Sequence, residues 1–120
     1  MAKTELEDRT KRFALEVMRF VSSLPRGRVG DTIGYQAARS GTSIGANYRE
    51  AQRAESKADF IHKVAIAEKE ASETCYWLEL CVEESLGEAV NAQRLLDEAQ
   101  QLLSILASIG KRAKSRATKK

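Results

Sequence analysis

Phe60, Val64, Ala67, Ala71, Thr74, Leu78 and Cys81 follow one another at alternating steps of four and three. That spacing keeps a single stripe facing one way through about six turns of α-helix, whereas a strand would need apolar residues at every second position. The stretch is therefore helical, and other helices must cover its stripe.

Three more segments repeat the rhythm. Leu6, Phe13, Val17, Phe20 and Leu24 hold one face up to Pro25, the only proline. Ile33, Ala37, Ser40, Ile44, Asn47, Ala51 and Ala54 form a seam that runs unbroken through Gly41 and Gly45. Ala92, Leu95, Ala99, Leu102, Leu106 and Ile109 make the fourth, widened by Leu96 and Leu103. The pattern predicts helices over about 4–24, 31–54, 57–86 and 89–109. Thr4 with Glu7 has capping-box spacing, Asp31 and Ser56 are candidate N-caps, Asp59 falls at the capping-box position after Ser56, and Gly87 and Gly110 are the expected stops. Four amphipathic helices with short connections in 120 residues give an all-α domain, an antiparallel up-down-up-down four-helix bundle.

Charge is unevenly placed. Residues 1–53 carry ten Lys/Arg against six Asp/Glu, and residues 54–110 carry four against eleven. Lys111, Arg112, Lys114, Arg116, Lys119 and Lys120 then crowd a tail, 111–120, with almost nothing apolar to bury, which predicts disorder. Two accounts fit this basic, acidic, basic order: oppositely charged helices neutralise each other within or between subunits, or the cations bind a polyanion. The tail is the first nucleic-acid candidate. Arg26, Arg28, Arg39, Arg49 and Arg53 are the second, with Arg49 and Arg53 on one face.

The stretch "RSGTSIGANYREA" followed by "DFIHKVAIAEKEASETCYWLEL" resembles the four-helix-bundle proteins encoded within intervening sequences of bacterial 23S ribosomal RNA genes. The resemblance spans roughly residues 8–110 and leaves out the basic tail. It implies a bundle that assembles as a homopentamer, with no enzyme activity and no catalytic residue to carry over. A more distant similarity is to the accessory protein of diversity-generating retroelements, a basic pentamer that partners a reverse transcriptase and binds nucleic acid. The acidic second half of this chain departs from that relative.

The glycines near position 40 do not form a phosphate loop, because a helix precedes them and no Gly-Lys-Ser/Thr follows. Gly34, Ala38, Gly41 and Gly45 instead line up one position beyond the seam as a face almost without side chains. Each interior glycine costs a helix roughly 1 kcal/mol relative to alanine, which close packing of a neighbour must offset. That neighbour is expected either in the same subunit or in the next. Asn47, on the seam, is expected to fix helix register through a buried amide.

Tyr76 and Trp77 are expected in the core or at a subunit contact rather than as a base-stacking platform. His62 is the sole histidine; paired with Asp59 at i, i+3 it suggests a metal-binding or catalytic bundle as the alternative function. No triad geometry aligns Ser43, Asp59 and His62, and no cofactor is expected. Cys75 and Cys81, six apart on one helix, cannot bridge each other and read as buried thiols. The N-terminus lacks the apolar core of a signal peptide, and no segment reaches membrane-spanning length, so a cytoplasmic location is expected. The function expected is a homo-oligomeric scaffold with RNA or DNA association, and a purely protein-binding adaptor is the other alternative.

Overall fold

The computed structural model describes residues 3–118. They form four helices, α1 (Lys3–Ser22), α2 (Arg28–Gln52), α3 (Lys57–Glu83) and α4 (Ala89–Thr118), and among the described residues there is no strand. The helices run alternately up and down. α1 packs on α2, α2 on α3 and α3 on α4, while α1 and α4 close the bundle more thinly and α1 lies diagonally across from α3. The four periodic stripes meet in one core in which Phe13, Val17, Ile44, Val64, Leu78, Leu95, Leu102 and Leu106 are almost wholly buried.

The connections show how each helix ends. After Ser22 the chain tightens, with the amides of Ser23 and Leu24 donating to the carbonyls of Phe20 and Val21. α2 begins at Arg28, three residues before the expected cap Asp31: Gly27 stands just outside with φ 145°, and its carbonyl accepts from the Asp31 amide. Ser56 caps α3 as expected, its hydroxyl accepting from the Asp59 amide at 3.0 Å. The Thr4 side chain lies outside the described residues.

α3 ends at Glu83 rather than near residue 86. The Leu86 amide reaches back to the Cys81 carbonyl and the Ser85 amide to that of Val82, a Schellman closure with Ser85 in the left-handed region at φ 55°. Gly87, the expected stop, serves the loop instead. Its φ is 81°, and a Cβ there would lie 2.7 Å from the Phe20 ring, so the turn needs glycine on both counts. The Glu88 carboxylate then accepts from the amides of Val90 and Asn91 at the start of α4.

The expected stop at Gly110 is corrected, and so is the expected disorder over residues 111–118, because α4 continues to Thr118. Gly110 keeps a right-handed backbone and is buried against α3, where a Cβ would meet Val64 and Glu68 at 3.7 Å. Without a left-handed residue to turn the chain, the Lys, Arg and Ala that follow favour continued helix. In this antiparallel register, residues 111–117 lie alongside the opening turns of α3. Lys119 and Lys120 fall outside the described residues.

Candidate functional site

The small face of α2 is filled by α1 of the same chain. Cβ atoms at Gly34, Gly41 and Gly45 would lie 3.1 Å from Val21, Val17 and Thr10 respectively. Ala38 is half-buried on the same row. Thr10, which the apolar pattern of α1 leaves out, is fully buried here because its hydroxyl is satisfied within its own helix, 3.0 Å from the carbonyls of Leu6 and Glu7. The row is thus a packing surface, spent inside the subunit.

Asn47 is corrected as well. It is half-buried, and its amide nitrogen donates to the Ser43 carbonyl one turn back, so within the subunit it bonds its own helix rather than a neighbouring one. The next residue, Tyr48, takes the buried place. Burial, then the charge of Glu7, raises its pKa. The aromatic body of Tyr48 fills the core while its oxygen accepts from Gln52 at the rim. A tyrosine one step off the seam is the signal that strict four-three counting passes over.

Tyr76 and Trp77 are not core residues. Tyr76 is exposed, Trp77 is half-buried, and their rings meet edge to face at 5.0 Å. The Trp77 indole donates to Glu73 at 3.0 Å, and Glu73 also pairs with Arg39, which reaches Glu70 at 3.4 Å. The indole bond, with Arg39 behind it, holds the Glu73 carboxyl below its ordinary pKa.

The candidate arginines separate into three places. Arg39 lies mid-bundle, held by the two acidic groups of α3. Arg26 and Arg28 are exposed at the α1–α2 connection. Arg49 and Arg53 lie at the opposite end, where α2 finishes, α3 starts and α4 runs out. A cleft of ≈ 350 Å³ marks that end, lined by Leu6, Tyr48, Ser104, Ile105, Ser108, Ile109 and Arg112 from three helices.

Antiparallel topology thus gathers Arg49, Arg53, Lys57, Lys111, Arg112, Lys114 and Arg116 at one end, all of them exposed. Arg49 stands 3.5 Å from Glu7, and nearby Lys63 is tied to Glu50 at 2.8 Å. Arg53, Lys57, Lys111, Arg112 and Arg116 make no ion pair among the described residues; Arg53 and Arg112 donate only to the Arg49 carbonyl and the Ser108 hydroxyl. Lys57 and Lys63 belong to the acidic half of the sequence, so segment charge conceals them.

His62 is exposed, and among the described residues no group of three His, Cys, Asp or Glu side chains is placed to hold a metal ion. Ser43 donates to the Arg39 carbonyl of its own helix. Cys75 and Cys81 are buried and free; burial, with Glu79 adding to it, pushes Cys75 up to about 11, and burial raises Cys81. No helix among the described residues is long and apolar enough to cross a membrane.

Comparison with known proteins points to one family. The 23S rRNA-intervening sequence protein family matches residues 3–108. A crystal structure of a protein with unknown function from the S23 ribosomal protein family of Bacteroides thetaiotaomicron VPI-5482 is 36% identical to this chain. It superposes with a TM-score of 0.79, the match covering 92% of this chain and 99% of that one. No curated protein matches the chain. The bundle, its sequence pattern and its structural likeness agree: this chain belongs to the 23S rRNA-intervening sequence protein family.

Proposed function

We propose that the chain is a non-enzymatic, homo-oligomeric scaffold that acts in the cytoplasm and holds RNA or DNA at the basic end of its bundle. Five subunits is the assembly implied by the family resemblance. One observation carries the nucleic-acid reading: seven exposed cations from α2, α3 and α4 lie at one end, and five of them make no ion pair among the described residues. They are long side chains on a helical surface, suited to phosphate rather than to base edges, so the binding is tolerant of sequence and sensitive to salt. A ring repeats the patch in every subunit, and avidity then raises a weak single contact.

The family's tie to 23S rRNA makes ribosomal RNA fragments the first ligand to test. Fluorescence anisotropy with a labelled fragment and a DNA duplex, between about 50 and 200 mM salt, should show affinity falling steeply, by roughly 0.7–0.9 log units per log unit of salt for each phosphate contact. Deleting residues 111–120 should flatten that slope, and Arg49→Ala with Arg53→Ala should flatten it further. Absence of binding at low salt sinks the reading and leaves the protein-binding adaptor.

A further inference from the structure

α1 and α3 stand at opposite corners of the bundle, and each leaves apolar side chains uncovered on its outer line. On α1 these are Leu15, 40% exposed, and Met18, 49% exposed. On α3, Tyr76 is 53% exposed, with Trp77 and Leu80 half-buried beside it. The other exposed large apolar side chains among the described residues, Val29 and Tyr35 in the first turns of α2 and Val90 in the first turn of α4, lie at one end of the bundle; beyond Val90 the outer line of α4 reads Gln93, Asp97, Gln100, Ser104 and Ser108, all exposed and polar.

The two faces also match in height. Val17 packs at Gly41, and Ser40, the residue next to Gly41, bonds Thr74 across to α3. Since α1 and α3 run in the same direction, Met18 and Tyr76 lie within about 3 Å of one level at the helical rise per residue. Two flanking pairs of charges are opposite, although Lys69 also lies on the outer α3 line and Asp8 on that of α1. Among the described residues the Arg12 and Arg19 side chains, bracketing Leu15 and Met18, make no hydrogen bond or ion pair, and neither Glu68 nor Glu79 on α3 has an ion-pair partner. By the same register, Arg12 falls level with Glu68 and Arg19 within about a turn of Glu79.

We infer that the occupant of the outer α3 face is the outer α1 face of a second copy, with Met18 seated against Tyr76. This rests on the proposed self-assembly and specifies its contact. Two different surfaces on opposite sides make a heterologous interface, and one that joins them at equal height, by rotation without sliding, closes into a ring.

The test uses the full-length chain. Light scattering gives its mass, and Met18→Glu and Tyr76→Glu, both at exposed positions, should each reduce the assembly to the 13.3 kDa monomer with helicity by circular dichroism unchanged. In an oxidising gel, Met18→Cys and Tyr76→Cys combined in one chain should give a covalent ladder, while Met18→Cys alone should give no dimer. A monomeric wild-type chain overturns the self-assembly and the pairing with it. A wild-type oligomer that survives both glutamate substitutions, or that cross-links through Met18→Cys alone, overturns the pairing and leaves the self-assembly standing.

Discussion

The hydroxyl oxygens of Thr74 and Ser40 lie 2.8 Å apart, buried between α2 and α3 and 34 residues apart in sequence. Each also reaches a carbonyl one turn back on its own helix, Thr74 that of Glu70 at 2.7 Å and Ser40 that of Gln36 at 3.0 Å. A hydroxyl has one proton, so one of the pair donates across while the other donates along its helix. Either arrangement leaves no buried polar atom unpaired.

That relationship predicts a modest coupling. Thr74→Val or Ser40→Ala alone should cost about 1 kcal/mol, because the remaining hydroxyl falls back on its helix carbonyl instead of being stranded. The double variant should cost less than the two singles together. A urea double-mutant cycle checks this, and strict additivity would show that the cross-helix bond contributes nothing.

Gly41 faces Val17 without room to spare. Gly41→Leu should destabilise the fold by about 1–3 kcal/mol through overpacking, and Val17→Ala in the same chain should recover part of that by opening space. Thermal melts of the two variants decide it. A Gly41→Leu chain that melts like the wild type, with only its subunit number altered, would show that the small face serves assembly after all.

Ser85 holds a left-handed backbone that serine pays for and glycine does not. Ser85→Gly should raise stability by roughly 1 kcal/mol, whereas Gly87→Ala, strained in φ and driven into Phe20, should lower it by more. Chemical denaturation of both variants is the measurement. Equal and opposite shifts are not expected, since only position 87 adds a clash to the strain.

Glu73 links stability to pH. Its folded pKa is depressed by the Trp77 indole first and by Arg39, so its contribution is fully present above the unfolded carboxylate value near 4.5 and is lost as pH falls through the folded value. With the side chain about a third exposed, the contribution is small. Trp77 is the only tryptophan, so its fluorescence should change on acidification with a midpoint below 4.5, and Glu73→Gln should abolish that transition. A midpoint above 4.5 would contradict the sign.

Much of the fold was legible because helical period depends only on local geometry. The stripe of α3 from Val64 to Cys81 is buried at every position the spacing names, and Ser56 caps where its sequence neighbours require. Asn47 failed because a seam has width. Its place in the count is right, yet Tyr48 beside it has more apolar surface to remove from water.

Residue order alone dictates four amphipathic helices, the direction each one faces, and a glycine row needing a close neighbour. Packing between helices settled that the neighbour is α1 of the same chain, that Arg39 is neutralised by Glu70 and Glu73 while Arg53 and Arg112 keep no ion pair among the described residues, and that α4 runs through Gly110. Periodicity fixes a direction around one helix axis, whereas partners and charge clusters depend on the register between helices. That register comes from the packing of Val17 on Gly41 and of Ser40 on Thr74, contacts no single helix contains.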